Sequence, residues 1–202
     1  YGPCAFMEAY DPGAVFSSID ANGRYAYENQ PRIAQWNLAR FAETLLPLLS
    51  DDEAQAVSRA TEVVSGFMDH YHQAWLAQMR AKLGLAHHAA GEDAGQDEAD
   101  TALIKDWLKL LHTHQVDFTL AWRRLADAAA GNADPLRALF AAREAPDTWL
   151  ARWHARCTSD RRADGATDGC SRAEAMRRRN PWLVPRNHRV EEALAAASEA
   201  GD

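Results

Sequence analysis

The amino-acid sequence predicts an all-α fold. Apolar residues recur every three or four positions over several long stretches, and residues typical of helix ends separate those stretches. No stretch alternates strictly between apolar and polar residues, as a half-buried strand would. The 202 residues are 47% hydrophobic and 25% charged, a composition ordinary for a globular protein and sufficient for one sizeable core.

The N-terminal part, residues 1–29, is predicted to be an ordered loop, because Gly, Pro and the Asn22-Gly23 step mark successive turns. The first helix is expected to begin at Asn29-Gln30-Pro31, where Asn29 is a capping residue and Pro lies in the first turn. Its spacing predicts an inner face made of Ile33, Trp36, Phe41, Leu45 and Leu48.

Ser50 and Glu53 match the capping-box pattern and predict a long second helix that ends at Gly84. Its expected inner stripe is Val57, Ala60, Val64, Phe67, Tyr71, Trp75 and Met79. Residues 87–100 are rich in Gly, Asp, Glu and Ala without apolar periodicity, which predicts an exposed linker.

The second half of the chain predicts further helices. A helix or helix pair is expected over Ala102–Ala130, closed by Gly131, with Leu103, Trp107, Leu111, Phe118, Trp122 and Leu125 inside. Short helices should start at Asp134-Pro135 and near Pro146-Asp147, the latter burying Trp149, Leu150 and Trp153. Ser171 and Glu174 form another capping-box pattern, Asn180-Pro181 ends that helix, and Asn187 is a candidate cap for the last one.

Composition restricts the classes of function. The net charge of −7 argues against a general nucleic-acid binder, since phosphate contacts need a positive face. No apolar run approaches the roughly 18 residues of a membrane-spanning helix. The three cysteines, Cys4, Cys157 and Cys170, favour reduced thiols in a cytoplasmic protein, although a Cys157–Cys170 bridge stays open.

The candidate sites that the residues suggest are weak. His70-x-His72, His87-His88 and His112-x-His114 lack the i, i+4 spacing of a helical zinc site, so structural histidines are favoured over metal ligands. Arg177-Arg178-Arg179, with Arg172, Arg186 and Arg189 nearby, is either a nucleic-acid patch or, more in keeping with the net charge, a solvated helix face. The seven tryptophans favour packing over a binding platform. There is no Gly-rich phosphate loop and no nucleophile elbow, so the residues alone define no complete active site.

One ordered set of short motifs spans residues 1–49: Tyr1-Gly2-Pro3, Phe6-Met7, Tyr10-Asp11-Pro12, Asp20, Gly23-Arg24-Tyr25, Asn29-Gln30-Pro31 and Trp36-Asn37-Leu38-x-Arg40. A second set lies at Asn180-Pro181, Val184-x-Arg186-Asn187 and Ala195-Ala196 to Gly201-Asp202, and the middle of the chain matches best around Asp117-Phe118-Thr119 and Arg123-x-Leu125. Together these motifs resemble the selenoprotein O (YdiU) family.

The resemblance implies a protein-kinase-like fold and an enzyme that transfers AMP from ATP to Ser, Thr or Tyr hydroxyls of protein substrates, with Mg or Mn. In that family a metal-binding Asp immediately precedes the Tyr-Gly-Pro, and the nucleotide-binding and catalytic residues lie further upstream. We therefore expect a C-terminal fragment of a bacterial-type cytoplasmic parent. It should consist of an activation-segment-like loop (1–29) and a helical C-lobe with its extension (30–202), without nucleic-acid or membrane partners.

The resemblance assigns no catalytic, cofactor-binding or metal-binding residue to this chain, and the fragment alone is expected to be inactive. Phe16 stands where some members have a redox-active Cys, so that switch is not inferred. A non-catalytic helical interaction module is the alternative, since an all-α pattern by itself names no chemistry.

Overall fold

The computed structural model describes residues 5–86, 93–160 and 168–200. In those ranges the chain forms nine α-helices: α1 (Gln30–Leu49), α2 (Glu53–Ser65), α3 (Phe67–Leu83), α4 (Ala94–Thr113), α5 (Phe118–Ala129), α6 (Asp134–Arg137), α7 (Asp147–Ser159), α8 (Gly169–Arg179) and α9 (Asn187–Ala200). The described residues contain no β-strand, and their one β-type pairing is an isolated antiparallel bridge between Ala9 and Asp117. The predicted all-α class is confirmed. None of the described helices combines the length and apolar character needed to cross a membrane.

The chain divides into two compact units, one made of Tyr1–Asp11 with Ala77–Asp202 and the other of Pro12–Leu76. In the second unit the segment before α1 is irregular apart from a 3-10 turn at Tyr27–Asn29. Asp20 orders this segment, because its carboxylate accepts hydrogen bonds from the backbone N–H groups of Arg24 and Tyr25, both at 2.8 Å. An ordered loop with little regular structure is what its turn residues predicted.

The predicted inner face of α1 is only partly covered: Ile33 and Leu45 are half-buried, whereas Leu48 is 81% exposed. Trp36 and Phe41 are 48% and 60% exposed, so the prediction that they are buried is wrong. Among the contacts with α2 is one from Gln35, whose Nε2 donates to the backbone oxygen of Val64 at 3.1 Å. Because each residue turns a helix by about 100°, Trp36 points well away from that contact. It stacks instead beneath the guanidinium of Arg24, 4.5 Å from its ring.

Two predictions about the second helix are also wrong. The cap of α2 is Asp52, not Ser50: its carboxylate accepts from the backbone N–H groups of Ala54 and Gln55, while the Ser50 hydroxyl bonds the side chain of Gln55. Helix formation is also interrupted at Gly66, which divides the predicted long helix into α2 and α3. Glycine is a poor helix residue because its backbone loses the most entropy on ordering.

The core of the first unit contains four buried tryptophans, Trp107, Trp122, Trp149 and Trp153, among aliphatic residues such as Leu83, Ile104, Leu111 and Leu125. The ring centroids of Trp107 and Trp149 lie 4.4 Å apart. The indole N–H of Trp153 donates to the backbone oxygen of Leu83 at 3.1 Å. The helix pair over Ala102–Ala130 and the burial of its predicted aliphatic and tryptophan residues are confirmed, except that Phe118 is half-buried. Large aromatic side chains thus supply part of the packing, as the spacing predicted.

A buried network of charges lies beside these tryptophans. Asp100, 1% exposed, accepts from Arg80 at 2.6 Å and from Arg156 at 2.7 Å. Arg156 also pairs with buried Asp160 at 3.1 Å, and Asp160 pairs with Arg172 at 3.2 Å. Each buried carboxylate is shared between two arginines, which is how a protein interior tolerates such charges.

The predicted linker over 87–100 is wrong in its second part. Ala94 to Asp100 form the first turns of α4, which Asp93 caps by accepting from the backbone N–H of Gln96. Most of residues 93–99 are exposed, as predicted, but Asp100 is buried. Residues 87–92 lie outside the described ranges.

Gly84 ends α3 as predicted, with a φ of +71°. A Cβ there would lie 2.7 Å from Cγ of Met176 and 2.8 Å from Cγ of Arg172, both of which belong to buried residues. We expect Gly84→Ala to lower the free energy of unfolding by about 2–4 kcal/mol, because a left-handed conformation and overpacking both cost energy. Urea denaturation measures this loss.

Gly131→Ala is the matched control for Gly84→Ala. Gly131 also has a positive φ, +93°, but a Cβ added there would have no described atom within 4 Å. Its replacement therefore isolates the conformational cost from the cost of overpacking. Equal losses in the two variants would contradict the close packing at Gly84.

Candidate functional site

Residues 5–11 lie on the turn that connects α4 and α5. The backbone N–H of Phe118 donates to the backbone oxygen of Glu8 at 2.7 Å. One residue further, Ala9 forms its antiparallel bridge with Asp117. These two backbone contacts therefore fix the position of the segment against the N-terminal end of α5.

Tyr10 fixes the same segment through its side chain. It is buried, and its ring centroid lies 5.2 Å from that of Phe118. The imidazole of His112 lies 6.3 Å from the Tyr10 ring, edge to face, and its Nδ1 is 3.1 Å from the backbone oxygen of Tyr10. This packing buries the end of the segment against the last turn of α4.

Arg186 joins the segment to the start of α5 by charge. Its guanidinium donates to the carboxylate of Glu8 and, at 2.7 Å, to Oδ2 of Asp117. The other Asp117 oxygen, Oδ1, caps α5 by accepting from the backbone N–H of Leu120 at 2.8 Å. The hydrogen bond to Asp117, together with the one to Glu8, raises the pKa of Arg186 despite partial burial. Both partners therefore favour the charged form of Arg186.

Asn187, the first residue of α9, holds the segment by its amide group. Its Oδ1 accepts from the backbone N–H of Phe6, and its Nδ2 donates to the backbone oxygen of Phe6, both at 3.3 Å. Two residues separated by 181 positions are thus paired through a contact that does not depend on the Phe6 side chain.

The carboxylates of this site do not fit a divalent metal. Glu8 and Asp117 share the Arg186 cation through Oε2 of Glu8 and Oδ2 of Asp117, and Oδ1 of Asp117 is taken up by the cap of α5, so a metal would have to compete for these oxygens. Over residues 5–86, 93–160 and 168–200, no group of three or more His, Cys, Asp or Glu is arranged to hold a metal ion.

Comparison with known proteins identifies the family. The sequence model of one family, Protein adenylyltransferase SelO, matches residues 1–202. A relative called Protein nucleotidyltransferase YdiU, from Chromobacterium violaceum, is 58% identical over 203 residues, which cover 100% of this chain and 40% of that protein. Relatives with the same name from Rhizobium etli and Cereibacter sphaeroides are 48% and 50% identical over the whole chain, and the chain covers 38% of the length of each. The chain belongs to the SelO family.

This SelO-family chain spans about two-fifths of the length of the curated relatives it matches. The structure brings together the three stretches that carry the resemblance. Phe6 and Glu8 come from the first, Asp117 from the middle and Arg186 and Asn187 from the last, and they contact one another directly. Tyr1-Gly2-Pro3 lies outside the described residues.

A second contact joins the middle and last stretches of this SelO-family chain. Arg123 of the middle stretch donates to the backbone oxygen of Asn180 at 3.2 Å and to that of Arg177 at 2.9 Å. Asn180 is itself buried, and its Nδ2 donates to the backbone oxygen of Lys82 at 2.9 Å. The Asn180-Pro181 motif therefore has a structural role at the end of α8.

Of the paired histidines of this SelO-family chain that the structure describes, His114 is half-buried, whereas His70, His72 and His112 are exposed. The ring centroid of His114 lies 5.6 Å from that of Phe140, and that of His72 lies 5.8 Å from Tyr71. His87 and His88 lie outside the described ranges. The sequence missed the contact of His112 with Tyr10, since 102 residues separate them.

Several of the arginines in and near the run at residues 177–179 are exposed and paired with carboxylates. Arg177 pairs with Asp127 at 2.8 Å, Arg178 with Glu174 at 3.6 Å and Arg189 with Glu192 at 2.7 Å. Two of the arginines grouped with this run differ from that description. Arg172 is buried in the charge network, so its assignment to a solvated face is wrong, and Arg186 belongs to the site.

The cysteines form no disulfide in the part of the chain that the structure describes. Cys157 and Cys170 both carry their thiols there, so the bridge that the sequence left open is not formed. Cys4 lies outside the described residues.

Proposed function

We propose that this chain is part of a longer protein adenylyltransferase that transfers AMP from ATP to Ser, Thr or Tyr hydroxyls of other proteins. The match of the SelO family to all 202 residues, with a nucleotidyltransferase relative at 58% identity, is the observation that supports it most. The convergence of the three resembling stretches in one place gives additional support, because they form a common structural unit.

In such a transfer the protein hydroxyl forms a bond to the α-phosphorus of ATP, the bond to pyrophosphate breaks, and a base accepts the hydroxyl proton. Catalysis of this kind depends on positioning and on neutralising phosphate charge. We assign ATP, Mg or Mn and the catalytic groups to parts of the protein outside this chain. Residues 1–29 would form an activation-segment-like loop facing the protein substrate, and residues 30–202 the helical C-lobe of a kinase-like fold in the bacterial cytoplasm.

The proposal predicts that the 202-residue chain neither binds Mg-ATP tightly nor transfers AMP, whereas the full-length protein does both. The physical reason is that Glu8 and Asp117 are already paired with Arg186, and a metal bound to triphosphate needs free carboxylate oxygens. Calorimetric titration with Mg-ATP and transfer of labelled AMP to a protein acceptor measure the two properties, each on both proteins.

Micromolar binding of Mg-ATP by the 202-residue chain would contradict the placement of the nucleotide site outside it. A full-length protein that binds Mg-ATP but labels no protein would contradict the adenylyltransferase assignment. A full-length protein that does neither would favour the alternative, a non-catalytic helical interaction module.

A further inference from the structure

Residues 6–8 meet Arg186 and Asn187 at the site, and several of the contacts are made to the backbone of the N-terminal segment. Asn187 pairs with both backbone groups of Phe6, and Phe118 donates to the backbone oxygen of Glu8. Side-chain identity at Phe6 matters little to such contacts. What they determine is the position and direction of the backbone.

The charged contact adds rigidity to this arrangement. Arg186 bridges Glu8 of the segment and Asp117, which is also the cap of α5. Charge-assisted hydrogen bonds are stronger than neutral ones. Asp117 is fixed by its own bond to the backbone of Leu120. A single guanidinium therefore connects the segment to the N-terminal end of α5.

Arg186 and Asn187 lie where the irregular residues 181–186 lead into α9. The tryptophan core is built from α4, α5 and α7, so neither side chain belongs to it. Both side chains instead contact the same short segment. Arg186 binds Glu8, which is 178 positions away along the chain, and Asn187 binds Phe6, which is 181 positions away. Two adjacent residues that converge on one distant segment indicate a dedicated role in holding it.

We propose that Arg186 and Asn187 form a clamp that positions residues 6–10 for AMP transfer. This catalytic consequence rests on the proposed function, in which residues 1–29 lead from the nucleotide site to the surface facing the protein substrate. Both are positioning residues: they act through the segment and do not touch ATP. A displacement of about 1 Å in such a segment is enough to slow a reaction on the order of 100-fold.

The clamp itself is tested on the 202-residue chain by hydrogen exchange. Arg186→Ala and Asn187→Ala should accelerate exchange in the peptide covering residues 5–11 about tenfold, because backbone hydrogen bonds there open more often. Arg189→Ala is the matched control, since Arg189 lies on α9 three residues after Arg186 and its guanidinium pairs with Glu192 of that helix at 2.7 Å. If residues 5–11 exchange at the wild-type rate in both Arg186→Ala and Asn187→Ala, the clamp is contradicted.

The catalytic consequence is tested on the full-length protein. Arg186→Ala should lower kcat for AMP transfer about 10- to 100-fold with little change in KM for the protein acceptor. Arg186→Lys should restore part of kcat, because it keeps the charge but loses the planar fork. Unchanged kcat in Arg186→Ala, despite faster exchange in residues 5–11, would overturn the positioning role. A wild-type protein without transfer activity would overturn the proposed function, while the exchange experiment would still decide whether the clamp exists.

Discussion

Replacing Asp100 with Asn is expected to lower the free energy of unfolding by about 3–5 kcal/mol. The carboxylate is 1% exposed and receives hydrogen bonds from Arg80 at 2.6 Å and from Arg156 at 2.7 Å. An amide of the same size cannot neutralise these cations, so positive charge stays buried without its counterion. Urea denaturation followed by circular dichroism measures the loss.

Asp106→Asn is the matched control for this variant. Asp106 pairs with Arg152 at the similar distance of 2.7 Å, but both side chains are about half exposed. Exposed pairs contribute no more than about 1 kcal/mol, because water screens the charges and the side chains lose entropy on pairing. Similar losses in the two variants would show that burial of Asp100 has no energetic consequence.

The same network predicts a dependence on pH. Burial raises the pKa of Asp100, but the hydrogen bonds from Arg156 and Arg80 outweigh it and hold the pKa below its ordinary value of 3.8. A carboxyl group with a depressed pKa in the folded state stabilises the protein fully above its unfolded pKa, and that contribution is lost as the pH falls through the folded pKa. The stability difference between wild type and Asp100→Asn should therefore be constant above the ordinary value and shrink below it. A difference that grows on acidification would contradict this sign.

Trp153→Ala is expected to lower the free energy of unfolding by about 3–5 kcal/mol, the usual cost of truncating a fully buried aromatic side chain. Trp153 is completely buried, stacks with Trp149 at a centroid separation of 6.0 Å and donates to the backbone oxygen of Leu83. The variant leaves a cavity in the core and removes the donor to that oxygen. The midpoint of urea unfolding is the measurement.

Trp36→Ala is the comparison within the same chain. Trp36 is half exposed and contacts the Arg24 guanidinium above its ring. Exposed contacts of this kind are worth about 0.5–1 kcal/mol. If Trp36→Ala lowers the free energy of unfolding as much as Trp153→Ala does, Trp36 is buried, as the helical spacing predicted.

Local signals predicted most of the helices. Gly84 and Gly131 end helices with positive φ, as glycine without a Cβ readily does. The apolar spacing over residues 103–125 correctly predicted the buried face of α4 and α5. Spacing failed for Trp36 and Phe41, because periodicity shows that a helix has an apolar face but not which neighbour covers it.

Composition was misleading where polar residues serve the interior. Ala94–Asp100 are poor in large apolar residues, yet they begin α4, and Asp100 is buried. Arg172 lies near a basic run, yet it pairs with Asp160 in the core. A buried charge is recognised only from its partners, and the partners of Asp100 lie 20 and 56 residues away.

The sequence by itself determined the all-α class, most helix ends and membership of the SelO family, since these depend on residue type, short spacing and ordered motifs. Only the tertiary structure decided that Phe6 and Glu8 meet Asn187 and Arg186 across about 180 residues, and that the carboxylates of Glu8 and Asp117 share the Arg186 cation. The physical reason is that hydrogen bonds and ion pairs act over a few ångströms in space, and the distance between two residues along the chain does not fix their distance in the folded protein.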